Sequence, residues 1–574
     1  MFTEDFTMTY KDLPQFIHAL KENNQLVTID TPVDPDLEIT EIADRVSKAY
    51  GKALLFTNVK GSNYPLIINT LGTYERLSMG LGVNNLNDIA SQIEDFMNLS
   101  AYASLVGKIK AIPKLAPLPF IFPRTVKSAP CQEVIEEPDL EQLPIIKCWP
   151  QDGGKYITLP LVFTKDPENG QQNVGMYRMQ VYDKKTTGMH WHLHKDGKEI
   201  YEKYRKAGKR MPVCVALGCD PATIYASTAP LPKMIDEVLF AGYLKKRPIE
   251  LVKATTCDIK VPAHAEFILE GYVDLEEERL EGPFGDHTGY YSLADMYPVF
   301  HLTKITRKKH PIYPTTIVGK PPMEDCYLGK ATERIFLPLM KIQCPEIVDI
   351  DFPLEGVFHN CAIISIKKAF PLHANKAMYA LWGLGQMMYT KMLIIVDETV
   401  DVHDYQAVIK AMVYHANIRS HYVVSEGPLD ALDHASNRAF QGYRLGIDAT
   451  KKLPLEQSMD APITTQSVSS LIQVLHISDP KAYAEPYNCR YRILVDDNIA
   501  LDDYSTVSWK VFNNIDANRD ITYHTCEDGS ICLLINATKK GDSDGLKRPW
   551  PDDIEMSEPI KQRVTKKWNL YGID

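Results

Sequence analysis

Apolar and polar positions change rhythm along the chain, and each change marks a different architecture. In LPQFIHALKENN (13–24) apolar residues recur at helical spacing and give way to a polar end, which predicts an amphipathic helix. QLVTID and ALLFTNVKG read as short strands, with DLEITEIADRVSKAYG between them as a helix. A strand–helix–strand order predicts an α/β unit over residues 1–125. The proline-rich AIPKLAPLPFIFPRTV (111–126) can continue neither element, so a boundary is expected there.

From 126 to about 325 the texture becomes β-rich. YITLPLVFTKD, NVGMYRMQVYDK, GMHWHLH, MPVCVALG, AEFILEGYVD and PVFHLTKITRKKHPIYPT follow one another with turns between them, as in a barrel or sandwich. Helices are predicted within it at 198–209 and 233–246. Beyond 326 the α/β pattern returns, with a helix at 375–389 and a buried strand in TKMLIIVDETVD (390–401). An internal repeat follows. TKMLIIVDETVDVHDY matches CRYRILVDDNIALDDY, and DATKK (448–452) is echoed by NATKK (536–540). The pattern predicts an α/β domain over 326–452 and a duplicated strand–helix module over 453–574 that serves packing or self-association.

Composition narrows the function classes. The 574 residues are 45% hydrophobic and 24% charged, as in folded globular proteins. A formal net charge of −11 argues against coating nucleic acid or an anionic membrane. No stretch approaches the roughly 18–20 apolar residues of a membrane span. The amino terminus, MFTEDFTMTYKD, lacks the apolar core of a secretory signal. The 11 cysteines include no CxxC pair and read as reduced thiols of a cytoplasmic protein.

Three segments carry candidate chemistry. His190, His192 and His194 alternate, so on a strand they would share a face; they read either as metal-binding imidazoles or as polar and core histidines. Arg178 and Gln180 would share a face of the preceding strand, where an arginine grips a carboxylate or phosphate or makes a rim salt bridge. In RLEGPFGDHTGYYS (279–292), Glu281 and Asp286 flank a tight Gly-Pro-Phe-Gly loop, either as an acid/base pair or as two solvated acids. In ASTAPLPKMIDEVLFAG (226–242), Ala-Ser-Thr offers hydroxyls to a phosphate or monovalent cation, and Glu237 is a metal ligand or a helix edge. The interleaved charges of 195–210 read as a solvated helix face. No P-loop, GxGxxG fingerprint or GxSxG elbow is present.

NVGMYRMQ, GMHWHLHKDG, LEGPFGDHTGYY, VGKPPMED, SIKKAFPLHANKAMYALWG, QMMYTKMLIIVDETVD and GIDATKK occur in one order between about 170 and 452. In them the chain resembles the UbiD family of reversible decarboxylases that use prenylated FMN. The resemblance implies an N-terminal α/β region, a split β-barrel holding the flavin over 126–325, and a C-terminal α/β domain. It implies Asn173, His194 and Glu237 as ligands of Mn²⁺ or Mg²⁺, and a K⁺ site near 226–229. It implies cofactor contacts from Met176, Tyr177, Arg178, His190, Trp191, His192, Lys195 and Asp196; His190 stands where relatives often carry Arg. It also implies Arg178, Glu281 and Asp286 as the catalytic group, with Asp286 the proton donor.

By the same resemblance, Asp286 implies an aromatic acid such as a phenolic one, and the long C-terminus implies a quinone precursor. A flavin prenyltransferase would supply the cofactor, and the chain would assemble as a dimer or hexamer. A prenylated substrate would bring peripheral membrane contact. Two other readings are a flavin oxidoreductase on the same barrel, which the missing nucleotide fingerprint disfavours, and a non-catalytic carboxylase subunit, which the intact trio disfavours.

Overall fold

A computed structural model describes residues 9–97, 121–192, 196–231, 235–416, 418, 421–454, 456, 471–484, 489–525, 529 and 531–573. The mixed α/β chain forms two compact units, Met1–Ala331 with Asp553–Asp574, and Thr332–Asp552. Among the described residues no helix is long and apolar enough to cross a membrane.

The first unit opens with the predicted helix, Leu13–Glu22. Asp12 caps it by accepting a hydrogen bond from Gln15 N at 3.1 Å, and it buries Leu13, Phe16, Ile17 and Leu20. Strands Leu26–Ile29 and Ala53–Phe56 pair in parallel across the intervening helix Glu38–Lys48, as a strand–helix–strand unit requires. Leu66–Ile68 and Tyr313–Pro314 complete that sheet. The carboxyl-terminal helix Glu558–Lys567 also belongs to this unit. Lys567 Nζ and Tyr571 OH both reach Glu38 Oε1, at 2.7 and 2.9 Å, so the ending KKWNLYGID tethers the chain to the helix at 38–48.

The β-rich region forms a seven-stranded sheet. Its main path runs Thr186–Gly188, Asp295–Arg307, Phe267–Glu281, Met211–Leu217, Leu161–Lys165, Gln172–Met176. Met211–Leu217 and the first half of Phe267–Glu281 are buried almost throughout, so both faces are covered there, whereas 274–280 is half-buried or exposed. The long antiparallel pair Phe267–Glu281 and Asp295–Arg307 shifts register at Glu270/Gly271 and again between Val273 and Glu278, bending the sheet where it approaches the site. A Cβ on Gly271 would lie 2.0 Å from the His301 carbonyl oxygen, so only glycine permits that approach.

Helix 233–246 is shorter than its sequence pattern predicts. The helix proper is Glu237–Lys245, because Asp236 accepts from Val238 N and Leu239 N and fixes its start. In the second unit, the single helix predicted for 375–389 divides into an α-helix, His373–Trp382, and a 3₁₀ turn, Gly385–Tyr389. Strand order there is Ile347–Asp351, Cys361–Ile366, Met392–Asp397, Gln441–Asp448, Tyr422–Pro428. A second sheet runs Ile472–His476, Tyr491–Val495, Ile531–Asn536, Ile521–Thr525. In each, three neighbouring strands are parallel and the closing strand is antiparallel; in the first sheet Ile347–Asp351 adds a second antiparallel edge.

The recurring Asp-Tyr has a local cause: Asp404 and Asp503 cap the helices that follow, accepting from Gln406 N and Thr506 N at 3.0 Å each. The recurring Ala-Thr-Lys-Lys does as well. Thr450 donates to Asp448 Oδ1 and Thr538 to Asn536 Oδ1, at 2.5 and 2.7 Å, turning the chain off each inner strand.

Candidate active site

Arg178 lies in a break between two strands. Gln172–Met176 belongs to the large sheet, Met179–Gln180 pairs with Tyr156–Ile157, and the crossing leaves Tyr177 and Arg178 outside both. The guanidinium therefore leaves the sheet and enters a buried polar cluster. Its Nε and Nη2 donate to Glu281 Oε1 at 2.9 and 2.8 Å, Nη1 donates to Asp286 Oδ2, and Nη2 also reaches Ser292 Oγ at 3.0 Å. The Phe284 ring lies 4.7 Å from the guanidinium carbon.

The two carboxylates are held by backbone. Glu281 ends the long strand; Phe284–Gly285 and Tyr291–Ser292 form a hairpin that returns Ser292 to the arginine. A Cβ on Gly282 would be 2.6 Å from Gly153 Cα, so the chains can touch there only as glycines. Gly282 N donates to Gln180 Oε1, and Gly285 N to Asp152 Oδ1, both at 2.8 Å. Asp152 and Ser292 were not singled out by the sequence; Ser292 closes the GPFGDHTGYYS segment, whereas Asp152 lies 133 residues before its partner and carries no local signal.

Burial decides the electrostatics. Glu281 and Asp286 are 1% and 9% exposed at the side chain, so neither is a solvated acid. Burial alone would raise the Asp286 carboxyl, but Arg178 and His287 outweigh it and hold the group well below the usual carboxylate range. His287 contributes its backbone N at 2.8 Å and Nδ1 at 3.0 Å, both to Asp286 Oδ1. Burial likewise opposes ionisation of Glu281, and Arg178 with His190 lowers it nonetheless. Burial would lower Arg178, and the two carboxylates instead raise it. The trio is one cation between two anions.

His190 and His192 lie beyond the strand and share no strand face. The strand ends at Gly188, and the Nε2 atoms of His190 and His192 lie 2.7 Å apart. His190 Nδ1 is 2.8 Å from Glu281 Oε1, and burial followed by Arg178 lowers its pKa. His194 and Lys195 lie outside the described residues. Trp191 is buried beside Tyr177 and Tyr201, with ring centroids 6.5 and 5.7 Å away. Met176 ends its strand half-buried, and Asp196 opens the helix Asp196–Lys206, exposed.

Asn173 and Glu237 meet. Asn173 Nδ2 donates to Glu237 Oε1 at 2.9 Å and Val174 N to Oε2 at 3.2 Å, while burial pushes the Glu237 carboxyl up to about 7. Asn173 Oδ1 is buried with no hydrogen-bond partner. An orphaned amide oxygen beside a carboxylate is a pair of hard donors, which fits Mn²⁺ or Mg²⁺. In the 226–229 stretch, Ser227 Oγ and Thr228 Oγ1 donate to the carbonyls of Ile224 and Tyr225 at 2.7 and 2.8 Å. Their lone pairs remain as oxygen donors.

Three domain models of one family match the chain: the 3-octaprenyl-4-hydroxybenzoate carboxy-lyase N-terminal domain over 17–95, its Rift-related domain over 124–321 and its C-terminal domain over 326–449. An uncharacterized protein of Archaeoglobus fulgidus is 48% identical over 447 residues, 78% of this chain and 92% of its own. The UbiD-class enzyme HmfF of Pelotomaculum thermopropionicum, solved with prenylated FMN (prFMN) in an evolved dimeric form, superposes with a TM-score of 0.66 at 26% identity, covering 78% of this chain and 96% of that one. The vanillic acid decarboxylase of Sedimentibacter hydroxybenzoicus gives 0.69 at 26%, covering 80% and 96%.

Proposed function

The chain belongs to the UbiD family of carboxy-lyases, and from that membership we propose that it catalyses the reversible, non-oxidative decarboxylation of an aromatic acid with prenylated FMN. The observation that carries the reading is Arg178 buried between Glu281 and Asp286. A guanidinium shared by two carboxylates can receive an incoming carboxylate once one of the two is neutralised, and the neutralised acid can deliver a proton, which are the protein's tasks in exchanging CO₂ for H⁺ at carbon. Prenylated FMN, when bound, supplies an electron sink for the carbanion-like centre left by CO₂.

The rest falls to the chain's own residues. The trio is already anionic, so a substrate carboxylate can approach Arg178 only if a carboxylate leaves it or is neutralised. Asp286 is the group we assign to this. Once the arginine is engaged by substrate, its hold on Asp286 weakens and burial shifts the carboxyl towards the protonated acid. Asp286 then holds the proton that replaces CO₂ on the substrate carbon and is reprotonated from water. Glu281 remains on Arg178 and fixes its plane.

Asn173 and Glu237, joined by His194 from the family resemblance, would hold Mn²⁺ or Mg²⁺ against the cofactor phosphate, with K⁺ near 226–229. Met176, Tyr177, His190, Trp191, His192, Lys195 and Asp196 would surround the flavin. In this reading residues 126–325 form the flavin-binding split barrel, and the repeated sheets reflect a duplication used in self-association. The substrate would be a phenolic acid or quinone precursor, converted in the cytoplasm.

The test is co-expression with a flavin prenyltransferase, followed by CO₂ release and ring-proton exchange across hydroxybenzoic, naphthoic and α,β-unsaturated acids. Turnover on an aromatic acid supports the reading. A fully loaded protein inert towards all of them defeats it.

A further inference from the structure

We propose that a cavity in the first unit, lined by Lys11, Arg124, Lys245, Arg247 and His264, binds a small phosphorylated anion at a site separate from the Arg178 cluster. None of these residues belongs to the site described above.

The cavity is about 270 Å³. At the ~30 Å³ that a water occupies in the liquid, that is room for about nine waters, enough for a phosphoryl group with a small organic body. Two carboxylates also line it, and both are engaged. Asp220 Oδ2 is 2.9 Å from the buried Lys245 amine, and Asp220 also caps the helix Pro221–Ala226 by accepting from Thr223 N at 3.2 Å. Glu250 Oε2 is 2.7 Å from His264 Nε2. Lys245 and His264 are thereby matched.

Lys11, Arg124 and Arg247 are exposed, and among the described residues none of them is ion-paired to a carboxylate. Three cations directed at one cavity are conspicuous in a chain with 63 basic and 74 acidic residues. Backbone fixes their placement. Arg124 N donates to Ile249 O at 2.9 Å and Arg124 pairs with Glu250 in a parallel register; Arg247 N donates to Gly242 O at 3.2 Å, just after the helix ends.

The chemistry selects the ligand class. Two guanidinium groups and an ammonium exceed what one carboxylate neutralises, whereas a phosphoryl dianion offers three oxygens to the forked donors. Glu250 already balances part of that charge: His264 first, then Lys11 and Arg124, lowers its carboxyl. With Asp220 set against Lys245 and Glu250 held by His264, Lys11, Arg124 and Arg247 leave a clear excess of positive charge for the ligand to meet.

The probe is phenyl phosphate, titrated calorimetrically into the purified full-length protein at low salt, with inorganic phosphate and phthalate as parallel arms. Saturable binding of phenyl phosphate is expected. In Arg124→Gln/Arg247→Gln it should weaken by about tenfold or more, the loss of at least one charge-assisted hydrogen bond, with thermal stability unchanged. Arg247→Lys alone should bind more tightly than Arg247→Gln. Inorganic phosphate binding as tightly as the ester would identify free phosphate as the ligand and support the site. Phthalate binding as tightly as phenyl phosphate, no saturable binding, or binding unaffected by the double substitution would overturn it.

Discussion

Asn173 donates its amide N–H to Glu237 across 2.9 Å and keeps its own Oδ1 buried without a partner. A buried acceptor left unmade costs about 1–3 kcal/mol, which a cation would recover. Chelation of the purified protein should therefore release both metal and flavin, measured by elemental analysis and flavin absorbance. Glu237→Gln should weaken metal retention by about 10–100-fold, the usual cost of a disturbed ligand shell. Unchanged metal and flavin content in that variant would remove Asn173 and Glu237 from the metal site.

Arg178→Lys keeps the charge and loses the fork. One ammonium cannot serve Glu281, Asp286 and Ser292 in the geometry that three guanidinium nitrogens do. Turnover should fall by about 10²–10³-fold, the scale of losing one preorganised electrostatic contact, while flavin stays bound. Arg178→Met leaves two buried carboxylates uncompensated and should destabilise the fold by about 3–5 kcal/mol, visible in chemical denaturation. Native-like turnover in Arg178→Lys would exclude a bidentate role.

How much of this was legible in the sequence depends on distance along the chain. Arg178, Glu281 and Asp286 each lie in a recognisable segment; Gly282 N donating to Gln180 Oε1 and the hairpin Phe284–Gly285/Tyr291–Ser292 bring those segments together. Asp152 had no such signal, because the hydrogen bond that ties it to the site, from Gly285 N, spans 133 residues. The shared face expected of His190 and His192 failed for a local reason: alternation predicts a shared face only while the strand lasts, and the strand stops at Gly188. The repeat was legible because it encodes caps and turns, which are local; the tether from Tyr571 to Glu38 was not, since it spans 533 residues.

Burial pushes Asp152 up to about 7 even though it accepts two backbone hydrogen bonds. A carboxyl whose folded pKa exceeds its ordinary value near 3.8 binds more protons folded than unfolded. Its stabilising contribution is complete below that ordinary value and is lost as pH rises towards 7. Asp152→Asn should flatten the fall in stability between pH about 4 and 7, a difference of order a few kcal/mol. Urea denaturation at several pH values reads it directly. Identical pH slopes in variant and wild type would refute the buried-acid assignment.

Asp286 carries the opposite shift and the last prediction. Arg178 and His287 hold it ionised at rest, so its stabilising contribution is present above its ordinary pKa and is lost as pH falls below that value. A substrate carboxylate entering the anionic trio then requires a proton, and binding of an aromatic acid should take up about one proton per site, detected by calorimetry in buffers of different ionisation enthalpy. Asp286→Asn leaves Glu281 to balance Arg178, so the variant should fold and retain flavin. It should lose proton uptake, and turnover should drop by about 10²–10⁴-fold, the range for removing a general acid. Asp286→Glu should restore part of both. If Asp286→Asn still takes up the proton and turns over near the native rate, the proton belongs to another group.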